Sequence, residues 1–326
     1  MNNHKFTIIT LAASSTLFFA GCSDDNSSFE SSNSLDDTNQ LAPASDVKTE
    51  APDLDSFSLA TEKIAIEGLE YEGNTSEISI YVADRNNNPV PNNTAILFET
   101  SWGQVDPQCL TTDGVCTVMW TEAGQNQFLP ANFKAIVLAY TRGEESFTDL
   151  NDNDLYDAGE PFNDISEPYL DLNLNGSRDA STEEFIDSDG DNTFDPADGL
   201  FTGTPCIGDS TVCNRVAGYI WDITTVTLSS AAASITKTGA LPVAPETTAS
   251  IIVDITDQYG NPMADGSSVS LISSGGKVEP TSVDLAAGQK LFSIIYTSSA
   301  TPGSDSLTIE VTSEPSGTVT QNLFTN

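Results

Sequence analysis

The sequence predicts an all-β fold: two tandem β-sandwiches, the first carrying a long acidic insertion with calcium-loop spacing in one hairpin. Three observations lead there. One segment recurs without gaps at a constant offset of 173 residues. Short alternating strands bounded by Gly, Pro and Asn turns fill both flanks of each copy. Between residues 149 and 198 a single spacing of Asp and Asn is written three times.

The duplication aligns residues 84–107 with 257–280, so that Asp84/Asp257, Asn88/Asn261, Pro89/Pro262, Ser101/Ser274, Gly103/Gly276, Val105/Val278 and Pro107/Pro280 coincide. In each copy an alternating strand leads into a turn, Arg85-Asn-Asn-Asn-Pro89 or Gln258-Tyr-Gly-Asn-Pro262, and a second strand follows. Ile78, Ile80 and Val82 alternate with polar residues, as do Leu307, Ile309 and Val311. Residues 133–140 and 291–296 are more apolar throughout, as expected for central strands. Short strands at regular spacing with such turns indicate sandwiches. Residues 133–140 correspond to 306–312, and 216–228 to 317–324. The second copy joins these strands by a Ser-Glu-Pro-Ser turn, so the acidic tract replaces a hairpin tip in the first.

The D-x-x-x-N-P segment with its later S-x-G-x-V-x-P resembles the bacterial Ig-like domains of the invasin/intimin type, the Big-1 family. The likeness covers about residues 60–228 and 231–326 with the acidic tract set aside. It implies Ig-like sandwiches and a role in adhesion or protein contact at a cell surface.

The acidic tract itself follows a twelve-residue calcium loop, in which oxygens at positions 1, 3, 5, 7, 9 and 12 wrap a hard cation. The first copy is Asp149, Asn151, Asn153, Leu155 (through its carbonyl), Asp157 and Glu160. The second is Asp171, Asn173, Asn175 and Asp179, with Glu183 one residue later than the spacing asks. In the third, Asp187, Asp189, Asp191 and Asp195 are closed by the shorter Asp198. A second rhythm runs through Glu160-Pro-Phe-Asn-Asp164, Glu167-Pro-Tyr-Leu-Asp171 and Glu183-Glu-Phe-Ile-Asp187. Pro161, Pro168 and Pro196 argue against the flanking helices of an EF-hand. The tract therefore resembles the helix-poor loops of thrombospondin type 3 or dockerin-like repeats, and Ca²⁺ is the cofactor expected. From 144 to 198 eighteen Asp and Glu face Arg178 alone, a net charge of −17. Without cations that self-repulsion should hold the tract open.

At the N-terminus, Lys5 precedes an apolar run over 6–20, and Phe19-Ala-Gly-Cys22 resembles a bacterial lipobox. The run is short for a membrane span and suits a signal peptide. Cys22 is then the lipidated residue, which ties the mature chain to a membrane and places it in the cell envelope, as an outer-membrane lipoprotein by analogy. The organisation expected is a signal peptide over 1–21, a disordered tether over 22–58, an Ig-like domain over 59–229 with the insert at about 144–215, and a second over 230–326.

A net charge of −37 argues against nucleic acid or bare anionic lipid as partner. Four further cysteines in an exported chain suggest two disulfides. Cys109 with Cys116 and Cys206 with Cys213 would each close a hairpin with a loop of four residues. The sole histidine, His4, lies in the signal, which removes Ser-His-Asp chemistry and histidine-ligated zinc. The chain is therefore read as a non-enzyme. Its expected partner is an unidentified protein or surface ligand, and the alternative is a structural envelope spacer whose calcium serves stability.

Overall fold

The computed structural model describes residues 51–326 apart from 125–129, 241, 243, 302–304, 314–316 and 326, with backbone alone over 318–325. The signal, Cys22 and most of the tether lie outside these residues. The first sandwich is built from β1 (Phe57–Thr61), β2 (Ala65–Glu67), β3 (Thr75–Val82), β4 (Ala95–Thr100), β5 (Gln104–Val105), β6 (Gln108–Leu110), β7 (Val115–Thr121) and β8 (Lys134–Gly143). After the insert, whose two-residue strands are β9 (Tyr156–Asp157), β10 (Phe201–Thr202), β11 (Cys206–Ile207) and β12 (Cys213–Asn214), the chain returns as β13 (Gly218–Ser229). The second sandwich comprises β14 (Ala233–Thr238), β15 (Thr248–Asp257), β16 (Ser268–Ser274), β17 (Lys277–Glu279), β18 (Ser282–Asp284), β19 (Leu291–Thr297), β20 (Ser306–Ser313) and β21 (Gly317–Thr325).

The duplication in sequence is a duplication of sheet order. One sheet runs β1-β3-β7-β5 in the first sandwich and β14-β15-β19-β17 in the second. The facing sheet runs β13-β8-β4-β6 and β21-β20-β16-β18, with β2 added parallel to β13 in the first. Inward residues of each sandwich meet in a core of their own. Ile78, Ile80, Val118, Trp120, Val137 and Leu228 lie in one, and Ile251, Ile255, Ile294, Tyr296, Leu307 and Ile309 in the other. Each such fully buried aliphatic contributes roughly 1.5–3 kcal/mol.

The repeated motif residues have local reasons. Asp84 Oδ1 accepts the N–H groups of Asn86 and Asn88, and Asp257 Oδ1 those of Tyr259 and Asn261. The aspartates therefore cap their own turns. Gly103 and Gly276 let a core aromatic lie against bare backbone: a Cβ at Gly103 would stand 2.6 Å from the Thr121 carbonyl and 2.7 Å from Trp120. At Gly276 it would meet the Tyr296 hydroxyl.

Three features of the strands, disulfides and tether depart from the sequence reading. Residues 52–58, assigned to the tether, are folded: Leu54–Ser56 is a 3₁₀ turn capped by Asp53, and Leu54 N–H donates to the Glu144 carbonyl at 3.1 Å. Two apolar anchors, Leu54 and Phe57, suffice to dock a segment too short to show periodicity. Both predicted disulfides are present, with Cα atoms 6.0 and 6.6 Å apart. However, Cys109 lies in β6 and Cys116 in β7, so that bond ties one sheet to the other rather than the arms of a hairpin. Cys206 and Cys213 similarly sit on separate two-stranded ribbons. Finally, Leu291 and Ile295 face outward on β19, since that sheet is covered on one side alone.

β8 behaves differently, because both of its faces are buried. Ala135, Val137 and Ala139 face the core, while Ile136, Leu138 and Tyr140 on the opposite face are 1%, 0% and 8% exposed. The insert folds back on this outer side. Tyr169 packs edge-on against Trp221 at 5.0 Å, Trp221 Nε1–H donates to the Ser166 carbonyl, and Asn132 donates to the Leu172 carbonyl. The sandwiches are also docked on one another: Asp265 Oδ2 accepts Ile64 N–H, Ser313 Oγ–H donates to Glu67, and Phe133 stacks on Tyr259 at 4.6 Å.

Gly103→Ala should cost about 2–4 kcal/mol, since a φ of +75° and a backbone clash coincide there. Gly73→Ala, with φ +89° but open space, should cost about 1 kcal/mol. Urea midpoints at unchanged m-value measure the difference.

Candidate metal centre

The insert leaves the sandwich at a fixed point: Gly143 pairs with Gly218 at the end of the β8–β13 ladder. Beyond it, four short segments share the pattern Glu-x-aromatic-x-Asp, at 145–149, 160–164, 167–171 and 183–187. They pair antiparallel in twos. Phe147 bridges Phe162, and Tyr169 bridges Phe185. Each segment starts with a buried glutamate and ends with an aspartate that opens a loop.

Hydrogen bonding defines the loops. At the sixth position an N–H donates to the opening aspartate: Asp154 to Asp149 at 2.7 Å, Gly176 to Asp171 at 2.7 Å, Asn192 to Asp187 at 2.9 Å. These three residues have φ of 63°, 76° and 62°, which Asp, Gly and Asn tolerate best. At the seventh position an N–H donates to the fifth side chain: Leu155 to Asn153, Ser177 to Asn175, Thr193 to Asp191. A glutamate closes each loop by accepting the second and ninth N–H groups.

For the first loop the closing group is Glu160, which accepts Leu150 N–H at 2.8 Å and Asp157 N–H at 2.9 Å. For the second it is Glu183, which accepts Leu172 and Asp179 at 2.9 and 2.7 Å. Its extra residue is absorbed in a turn where Thr182 and Glu183 both donate to the Asp179 carbonyl.

The third loop corrects the sequence reading. Glu167, not Asp198, accepts Ser188 N–H at 2.6 Å and Asp195 N–H at 3.0 Å. Pro196 turns the chain away after Asp195, so residue 198 does not fold back over its own loop. Carboxylate oxygens of Glu167, Asp189 and Asp195 lie within 4.8 Å of one another, and those of Asp187, Asp189 and Asp191 do the same.

Asp198 belongs to a fourth, discontinuous loop that sequence spacing missed. Asp164 opens it, and Gly199 N–H donates to Asp164 Oδ2 at 2.7 Å with φ +81°, the sixth-position signature. Leu200 N–H donates to Asp198 Oδ1 at 2.8 Å, as the seventh position does to the fifth elsewhere. Glu145 closes the loop, accepting Ile165 N–H at 2.9 Å and Thr202 N–H at 2.8 Å. The second and third loops are inserted between its two limbs. The signal that would have found it is the overlooked first copy of the rhythm, Glu145-Ser-Phe-Thr-Asp149. A cavity of about 230 Å³, lined by Glu145, Glu167, Asp189, Asp195 and Asp198, separates the third loop from the split one.

The donor sets fit a hard divalent cation: all are carboxylate, amide or backbone oxygens, with no nitrogen or sulfur ligand. In the first loop the Asn151 and Asn153 amides donate to Asp157, and in the second Asn173 donates to Asp179. Turning over the Asn151 amide would present oxygen to the same point, whereas the Asn153 and Asn173 oxygens already accept the Leu155 and Asn175 N–H groups. Desolvation acts against the Asp149 carboxyl, but the N–H groups of Asp154, Asn151 and Asn153 hold it below the usual range. N–H groups of Asn192 and Gly190 lower Asp187. Asp195 is raised by desolvation and by the charges of Glu167, Asp189, Asp191 and Asp187.

Aromatics fill the spaces between loops. Phe147, Tyr156, Phe162 and Phe201 pack with the Cys206–Cys213 bond in a small core. Arg178 lies over Phe185 at 4.6 Å and Phe194 at 4.8 Å, a cation–π clamp joining the second and third loops.

No family model and no curated protein matches the chain. Among solved structures it is similar to the Yersinia pseudotuberculosis adhesin InvE, at 11% identity over 85% of this chain and 60% of that one, with a TM-score of 0.25. It is also similar to the D0-D1 domain of intimin, at 10% over 81% and 94%, with a TM-score of 0.25. A third match is the C-terminal 282-residue fragment of intimin in complex with the translocated intimin receptor, at 12% over 83% and 64%, with a TM-score of 0.28. At these scores the likenesses assign neither partner nor activity. The all-β architecture rests on the strand order above.

Burial raises Glu145 to about 7, against the pull of the Ile165 and Thr202 N–H groups, and the Asp164 and Asp198 charges add to it. A carboxyl raised on folding contributes stability below its unfolded value and loses it as pH passes the folded one. In chelator, the insert should therefore be most protease-resistant near pH 4.5 and open progressively up to about pH 7. Glu145→Gln should remove much of that slope, read as cleavage rate against pH.

Proposed function

We propose that the chain is a lipid-anchored envelope protein in which two docked Ig-like sandwiches carry a calcium-ordered module for adhesion or protein contact at the cell surface. The observation that carries the calcium reading is the register of backbone N–H donors onto carboxylates, repeated in four loops, one of them assembled from separate stretches of chain. Bound Ca²⁺ would supply the positive charge that offsets the convergent carboxylates. Asp149, Asp157 and Glu160 would hold it in the first loop, Asp171, Asp179 and Glu183 in the second, Asp187, Asp189, Asp191, Asp195 and Glu167 in the third, and Asp164, Asp198 and Glu145 in the split loop.

The repeated segment's resemblance to invasin-type domains supports the adhesive reading, and the Cys22 lipobox supports the anchor. Among the described residues no helix is long and apolar enough to cross a membrane. One observation favours the second reading, a spacer whose calcium serves stability. Phe162 packs on Tyr156 and Phe201, and Tyr169, Phe185 and Phe194 form a second cluster with Trp221, rather than standing free as contact residues.

Calorimetric titration of Ca²⁺ into the chelator-stripped protein, with limited proteolysis at each step, tests the module. Saturable uptake at micromolar-to-millimolar Ca²⁺ should close cleavage across residues 144–198. No heat and undiminished cleavage would sink the calcium reading. Asp187→Asn with Asp189→Asn should abolish uptake at the third loop and leave sandwich unfolding by urea within about 0.5 kcal/mol. If those variants keep cell or partner attachment at wild-type level, the spacer reading stands instead of adhesion through the insert.

A further inference from the structure

We infer that the four loops bind calcium as two cooperative pairs, because each closing glutamate is tied within one five-residue segment to the aspartate that opens its partner loop. The inference rests on the calcium reading above. In the first pair, Glu145 closes the split loop and Asp149, four residues on, opens the first loop. Across the Phe147–Phe162 bridge the relation reverses: Glu160 closes the first loop and Asp164 opens the split one. Thr148 N–H donates to the Pro161 carbonyl at 2.8 Å and Asn163 N–H to Ser146 at 2.9 Å, so the two segments hold one another in register.

The second pair repeats the arrangement. Glu167 closes the third loop and leads into Asp171 of the second, while Glu183 closes the second and leads into Asp187 of the third. Leu170 N–H donates to the Glu184 carbonyl at 3.0 Å and Ile186 N–H to Pro168 at 2.8 Å around the Tyr169–Phe185 bridge. Arg178 adds a clamp across the same pair.

A five-residue segment fixed at its glutamate has its aspartate placed as well. Ordering the two segments for one site therefore orders the opening aspartate and the closing glutamate of the other. The second binding event meets a smaller entropy cost than the first, which is positive cooperativity without a large structural change. Crossing also separates function from sequence proximity: Glu167 stands four residues before the second loop yet serves the third.

The test is a Ca²⁺ titration of the full, disulfide-intact chain against a chromophoric chelator, with the Gly176 amide followed by NMR as a reporter inside the second loop. The expected isotherm is cooperative, with a Hill coefficient clearly above 1. Glu167→Gln should shift Gly176 to roughly five- to tenfold higher Ca²⁺, although every ligand of the second loop is intact. Glu167→Asp, which keeps the charge, should shift it less and guards against misfolding as the cause. A Hill coefficient of 1 with Gly176 unmoved in both variants would overturn the pairing and leave four independent calcium loops. No Ca²⁺ uptake by the unaltered chain would overturn the calcium reading beneath it.

Discussion

Each loop of the insert hangs on one kind of contact, a buried glutamate whose two oxygens take the second and ninth N–H groups of the loop. A tract without helices, and with strands of two residues only, has few partners for its backbone donors, and unpaired buried amides are costly. The carboxylates of Glu145, Glu160, Glu167 and Glu183 provide those partners, and the opening aspartates provide more. The same contacts gather acid groups close together. Backbone N–H groups lower Asp149 and Asp187, while burial outweighs such bonds at Glu145 and acts together with neighbouring charges at Asp195. The fold is thus built for charge that it does not itself neutralise.

The sandwich supplies a platform as well as a scaffold. An Ig-like sheet normally leaves its outer face to solvent, yet here Ile136, Leu138 and Tyr140 are buried there, and Trp221 reaches the insert. Residues 52–55 close the arrangement from the other side. Pro52 accepts Glu144 N–H, and Ser146 Oγ–H donates to Asp53 at 2.6 Å. The insert is consequently a third packed layer rather than a projecting loop, which is how about seventy residues nearly free of regular structure persist within a compact unit.

Much of this was legible in the residues. Pairing at fixed offset located both sandwiches, because Gly103 and Gly276 are demanded by the aromatics above them, and Asp84 and Asp257 by their turns. Alternate Asp and Asn marked three loops because the side chains that accept each loop's own N–H groups come from every second residue. What stayed hidden was long-range. Nothing local says that Glu167 closes a loop beginning twenty residues later, or that 164–165 and 198–202 form one loop across an excursion of thirty-two residues. Linear spacing finds loops closed within one stretch and misses those assembled from two. The disulfides show the same limit: spacing paired the right cysteines, but the sheets they join depend on where Cys109 and Cys116 fall in the sandwich.

The inward aromatics constrain what the insert can offer a partner. With Phe147, Phe162, Tyr169, Phe185, Phe194 and Phe201 engaged in packing, the outer surface consists of loop carboxylates and amides with isolated leucines such as Leu150, which is 68% exposed. Buried aromatic anchors are the usual source of affinity in protein interfaces. A surface without them must recognise through charge and through the shape of its loops. Both depend on the state of the carboxylates, so under the calcium reading proposed above any contact made here would share the calcium dependence of the loops that present it.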